Sequence, residues 1–323
     1  LKGSGQASTM ITLRGTAVTL MSSRAVVRDF TITSDARTGP QDVMINVAND
    51  KCDRWRVTGM KLTGGAPYHA FGRTVYCNAP GIATNDTYGL IDNCNFLYVP
   101  NESIFVRGPC NSWATEHSLG GPANLFLENN QATAGGSRGN MWVDANANAR
   151  IVARYNTLHQ MYFDNHGSWS NWSLCKPETH ASARHGEFYN NRFIGPGWVC
   201  VYLRGGTALV YNNTVESEQP GRGNIFLDEY YVRSGGGTLF AKGTCSCKKD
   251  YPIIYQIGRG RNKVADPETG SDQNAEPVFI WNNRNKDTGG DLTIGFGYDH
   301  GAARQNNRDY CQDQTLNVKD FVV

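Results

Sequence analysis

Apolar and polar positions alternate with a period of two over short runs, and Asn-rich corners break the runs. Leu90-Ile91-Asp92-Asn93-Cys94-Asn95-Phe96, Leu125-Phe126-Leu127-Glu128-Asn129-Asn130 and Ile151-Val152-Ala153-Arg154-Tyr155-Asn156-Thr157-Leu158 share one phrase. It returns over Gly186–Phe193, Leu209–Val215 and Phe279–Asn283, with fainter copies over Val26–Phe30 and Val57–Leu62. Branched and aromatic residues in alternation favour a pleated strand with one set of side chains inward. Asn tolerates left-handed backbone angles that strain most residues, so it can turn the chain. Each phrase therefore predicts a strand running into a tight corner. The corner positions 27, 59, 93, 129, 155, 190, 212 and 282 are unevenly spaced. A constant phrase at variable spacing predicts a solenoid whose loops differ in length. Stacked Asn side chains would then hydrogen-bond from coil to coil.

Met10 to Arg14, Val18 to Leu20 and Val43 to Val47 read as earlier strands. Long polar loops fall between the coils. The loop over 108–121 carries Trp113, Glu116 and His117, and that over 166–184 carries Trp169, Trp172, Lys176, Glu178 and His180. Loops of this length on a regular scaffold are the usual place for binding. Gly258-Arg259-Gly260-Arg261 lacks the Lys-Ser/Thr of a phosphate loop and reads as a turn. The last coil is expected to end at Asn283, with 284–323 as an irregular cap over the open end. The expectation is one all-β domain over residues 1–323, a right-handed parallel β-helix with long loops.

Composition sharpens this picture. The chain has 36 Gly, 11% aromatic and 19% charged residues, which suits strands and turns. A net charge of +2, without a basic run, argues against a nucleic-acid partner. No apolar stretch reaches the roughly 18 residues of a membrane span. Nine cysteines at 52, 77, 94, 110, 175, 200, 245, 247 and 311 contain no Cys-x-x-Cys pair. They predict disulfides in a secreted protein, with at least one thiol left over. The chain opens on Leu1, in a stretch that reads like the interior of a coil, so a processed extracellular product is expected. Asn85, Asn101, Asn171 and Asn212 sit in glycosylation triplets.

The strand-corner phrases together resemble the pectate-lyase-like, right-handed parallel β-helix superfamily. Val143-Asp144 through His166-Gly167, Arg184 to Asn191, Leu203-Arg204-Gly205-Gly206 and Pro277 to Asn283 resemble secreted bacterial β-helix repeat proteins. The resemblance implies no established reaction: the superfamily includes polysaccharide lyases, some glycoside hydrolases, phage tailspikes and surface adhesins. The Arg-centred signature of pectate lyases and the paired-Asp signature of polygalacturonases are not matched residue by residue.

Aligning the coils by their corners picks out the polar residues beside the strands. Asp144 follows Met141-Trp142-Val143; Asp164 and His166 follow Met161-Tyr162-Phe163. Arg184, His185 and Glu187 precede a corner, and Arg204 follows Val201-Tyr202-Leu203. Consecutive strands stack about 4.8 Å apart, so these residues would form one column suited to an anionic sugar. In β-elimination, Arg184 or Arg204 would neutralise the uronate and its enolate, and His166 or Tyr162 would take the proton. In hydrolysis, two of Asp144, Asp164, Glu187 and Asp228 would flank the bond. Trp169 and Trp172 would stack on sugar rings, with Tyr162 and His185 beside them. Asp164, Asp228 and Glu229 are candidates for a calcium ion, without a fixed ligand spacing; no other cofactor is expected. The competing reading is structural. An Asp after a strand often bonds its own turn, and stacked Arg and Glu often pair with each other. The expectation is a secreted protein that binds and cleaves a polysaccharide, elimination slightly ahead of hydrolysis. The alternative is a non-catalytic structural or adhesive protein that self-associates end to end, or a tailspike-like binder.

Overall fold

A computed structural model describes residues 1–13, 18–20, 22–34, 43–48, 53–64, 73–78, 89–99, 102–108, 113–116, 118–135, 140–146, 148–166, 182–217, 219, 221–228, 257–260, 274–296 and 310–313. Every regular element among them is a strand. The chain is all-β, with three nine-stranded parallel sheets. No helix among the described residues is long and apolar enough to cross a membrane.

The chain visits the three sheets in rotation, an order compatible with a parallel β-helix. The first sheet takes Met10–Leu13, Thr31–Ser34, Lys61–Thr63, Asn95–Val99, Gln131–Ala134, Thr157–His159, Arg192–Ile194, Thr214–Glu216 and Arg284–Asn285. The second takes Val18–Leu20, Val43–Ala48, Arg73–Asn78, Ile104–Arg107, Asn140–Asn146, Met161–Asn165, Val199–Leu203, Asn224–Leu227 and Ile294–Phe296. The third takes Val26–Arg28, Arg56–Thr58, Leu90–Asp92, Leu125–Glu128, Arg150–Arg154, His185–Tyr189, Thr207–Tyr211, Val278–Trp281 and Tyr310–Gln312. Where the pattern suggests that coils end at Asn283, residues 284–312 instead give each sheet another parallel strand. Their apolar alternation is too short to read: Arg284–Asn285 holds no apolar residue at all.

The period of two becomes an inside and an outside. In the second sheet Ile104, Val143, Phe163, Val201 and Ile225 are in register and buried. In the third, Ala153, Phe188, Val210 and Ile280 do the same. Phe163 stacks on Phe188 at 5.1 Å and meets Phe193 edge-on at 5.5 Å, so side chains from all three sheets close over one core. Burying a side chain of this size contributes about 2–3 kcal/mol relative to leaving it in water.

The corners are left-handed. Asp29, Gly59, Asn93, Asn129, Tyr155, Asn190, Asn212 and Asn282 all have φ between 50° and 64°. The first lies at 29 and not at 27, because Val27 is a buried strand residue. The residue after each corner faces inward. Asn130, Asn156, Asn191, Asn213 and Asn283 form a buried ladder there. The first four Nδ2 groups each donate to the next Asn Oδ1 at 2.8–3.0 Å, and all five donate to a carbonyl of an earlier third-sheet strand at 2.8–2.9 Å.

The expected disulfides are not found among the described residues. Cys94, Cys200 and Cys311 are buried free thiols. Cys94 stands at the ladder position before Asn130, with its amide on Asn130 Oδ1 at 3.0 Å and its thiol on Asp92 O. Burial pushes the Cys94 and Cys200 thiols up to about 12. Cys52, Cys110, Cys175, Cys245 and Cys247 lie outside the described residues, as does the side chain of Cys77.

Candidate functional site

Two outward columns cross the second sheet side by side. Phe105, Asp144, Asp164, Tyr202 and Phe226 are in register in the first. Arg107 and Asn146 are in register in the second. His166, Arg204 and Asp228 continue it, because each follows its strand directly and its amide bonds back to the preceding strand at 2.8–2.9 Å. Strand spacing puts neighbours in a column about 4.8 Å apart, and residues two apart share a face. A polar group therefore forms on the outside of a sheet whose inside is apolar.

At its centre Arg204 grips Asp164 with two parallel bonds, Nε to Oδ1 at 3.0 Å and Nη2 to Oδ2. Asn146 Nδ2 donates to Asp144 Oδ1 at 2.6 Å. Ligand atoms of Asp144, Asp164 and His166 all lie within 4.8 Å of one another. Tyr202 donates its hydroxyl to Asp228 Oδ2, and Arg204 lies over the Tyr202 ring at 4.7 Å. Trp198 meets Tyr202 and Phe226 edge-on at 4.9 and 4.8 Å and remains 38% exposed. Tyr162 packs on the same side. The four central residues are otherwise withdrawn from water, with exposures from 0 to 7%.

Burial sets the protonation of this group. It pushes the Asp164 carboxyl up to about 6, against the pull of Arg204. It pushes Asp144 well above the usual carboxylate range, and Asp164 and Glu102 add to the shift. Burial works against the charge on Arg204 too, but Asp164 more than offsets it. The Tyr162 and Tyr202 phenols are raised, chiefly by burial. Tyr162 is therefore a poor proton acceptor at neutral pH.

The remaining expected site residues gather elsewhere, at the entry to the third sheet. Arg184 is fully buried; its Nε donates to Trp113 O at 2.8 Å, and its Nη2 pairs with Glu276 at 2.7 Å. Glu187 accepts from the Gly120 amide at 2.7 Å and faces His185 Nε2 at 3.3 Å. Arg150 donates to Thr115 O at 3.0 Å. These charged side chains fasten Trp113, Thr115 and Gly120 across the outer face of the third sheet. The expected single column of Asp, His and two Arg is thus divided in two. Asp144, Asp164, His166 and Arg204 come together with Tyr162; Arg184, His185 and Glu187 form the clamp. Trp169, Trp172 and Glu229 lie outside the described residues.

Sequence reasoning overlooked Asn146, Trp198 and Tyr202. Asn146 and Tyr202 each stand two residues from a chosen one, so strand alternation alone places them on the same face. Trp198 carries no such signal, because it stands just before its strand. No family model, curated protein or solved structure matches the chain.

Proposed function

We propose that the chain is a right-handed parallel β-helix of the pectate-lyase-like kind, secreted, that binds a polysaccharide and cleaves it at the outer face of the second sheet. The observation that carries this reading is the Asp144–Asp164 pair. Two carboxyls stand on neighbouring strands, one gripped by Arg204 and one not. A glycosidic bond seated beside them would meet one carboxylate and one carboxylic acid, the two forms that hydrolysis uses. Trp198 at the rim offers an apolar ring for a sugar face.

The geometry favours hydrolysis over the elimination that the sequence placed slightly ahead. Elimination needs a guanidinium available to a uronate. Arg204 spends its fork on Asp164, and Arg184 is engaged with Trp113 and Glu276. The test is a panel of neutral and uronate-containing polysaccharides, followed by reducing ends and by the ultraviolet absorbance of unsaturated products. The expected result is reducing ends alone, lost at least a hundredfold in Asp164→Asn. Unsaturated products would shift the reading to a lyase, and silence across the panel would remove the catalytic claim.

A second reading rests on burial. Carboxyls at 0–3% exposure suit an internal staple at least as well as a reactive centre. In that case the protein binds without turnover, and Asp164→Asn changes the melting temperature and leaves saccharide affinity intact.

A further inference from the structure

We propose that Asp144, Asp164 and His166 form a binding site for a first-row divalent transition cation of the manganese-to-zinc series. The three side chains leave the same face of two adjacent strands. Asp144 and Asp164 are direct partners, and His166 is two residues beyond Asp164. Their ligand atoms lie within 4.8 Å of one another. A cation bonded at about 2.1 Å spans ligand atoms about 3 to 4.3 Å apart, so small side-chain rotations close the site.

A second observation points into the cluster. Asp144 is 3% exposed, and its one hydrogen bond, from Asn146, goes to Oδ1. Among the described residues no hydrogen bond reaches Oδ2, so its lone pairs are left to a ligand. Arg204 takes one lone pair on each Asp164 oxygen, and a carboxylate oxygen has two, so both remain able to ligate. Asn146 and Arg204 then orient the ligating carboxylates, as outer-shell partners do in metal sites. Charge agrees with this. Glu102 and Asp228 act electrostatically on Asp164, and Arg107 is in register with Asn146.

The ligand set chooses the metal. An imidazole nitrogen with two carboxylates suits manganese through zinc. Calcium takes six to eight oxygens and has no use for the imidazole. This replaces the expected calcium ligands Asp164, Asp228 and Glu229 by a different set. The inference rests on the geometry of the cluster and not on cleavage. A bound cation would occupy oxygens that cleavage uses, so it is measured without saccharide.

Chelator-stripped protein is dialysed separately against manganese, cobalt, zinc, calcium and magnesium, gel-filtered, and its metal content measured by plasma mass spectrometry. The expected result is one manganese, cobalt or zinc ion per chain, with calcium and magnesium not retained. Asp144→Asn and His166→Gln weaken binding tenfold or more. Where a variant fails to fold, the cobalt(II) spectrum of the wild type decides. It should show ligand-field bands without the near-ultraviolet thiolate band that cysteine ligation produces. No retained ion, retention equal in both folded variants, or a thiolate band would each overturn the proposal. Turnover on polysaccharide is a separate readout, so the failure of one reading leaves the other standing.

Discussion

At the residue scale, the Asn-Asn corner divides two tasks between two identical residues. The first supplies a left-handed φ, which Asn tolerates better than most side chains. The second turns inward and carries hydrogen bonds between coils. The Tyr155-Asn156 corner shows that these tasks are separable: Tyr155 takes φ 60°, and Asn156 still joins the ladder. Gly59-Met60 and Asn93-Cys94 keep the corner without an Asn behind it. Asn191 sits mid-ladder with four side-chain hydrogen bonds, to Asn156 N, Asn156 Nδ2, Ala153 O and Asn213 Oδ1. Asn191→Ala removes them and leaves buried partners unsatisfied, at about 1–3 kcal/mol each for those that find no substitute. We predict a loss of about 3–5 kcal/mol, read by urea denaturation. A loss below about 1 kcal/mol would mean that the ladder contributes little.

At the scale of the strand, the outer columns tie neighbouring coils together by charge. Glu216 receives Arg192 at 2.9 Å through both oxygens and Lys286 at 2.8 Å, so one carboxylate links its own strand to the strand before it in the first sheet and to the residue that follows Arg284–Asn285. The Arg192 and Lys286 bonds hold its carboxyl down at about 2. A group depressed in the folded state binds a proton more readily when unfolded. Its contribution is therefore complete above the ordinary glutamate value, about 4.5, and is lost as pH falls towards about 2. Glu216 lies near the surface, so salt screens the effect. We predict that wild type loses more stability than Glu216→Gln between pH 5 and pH 2, with a gap that narrows in high salt. Parallel acid titrations of thermal stability check this.

At the scale of the molecule, each strand rests on its neighbours before and after it in the sheet. A strand inside a sheet has an interface on each side and a strand at an edge has one, so the edges open more readily. Arg150–Arg154, His185–Tyr189 and Thr207–Tyr211 are five-residue strands flanked on both sides, with the Asn ladder alongside. Met10–Leu13 and Tyr310–Gln312 each close a sheet in the described structure with one neighbour. Amide exchange should be slowest in the three central strands and rise by orders of magnitude towards the two outer ones. Uniform exchange along the sheets would indicate one all-or-none unit.

The sequence by itself determined the strands that flank the corners, the corners and their inward-facing positions, because alternation and left-handed Asn are local and act within about eight residues; Arg73–Asn78 and Ile104–Arg107, which no corner marks, were not legible. Seven of the eight corner positions, 59 through 282, were legible for this reason. Asp144, Asp164, His166 and Arg204 were legible as polar residues beside strands. The tertiary structure alone decided which of them meet. Arg184 and Arg204 look alike in sequence, each near a strand end. One is sealed against Trp113 and Glu276, brought in from 71 residues before it and from beyond the next coil; the other is bound to Asp164. The continuation of the sheets past Asn283 was likewise hidden, since Arg284–Asn285 pairs through its backbone and carries no apolar signal. Contacts of that kind depend on which residues the register brings side by side, and register is a property of the stacked sheets, not of any one strand.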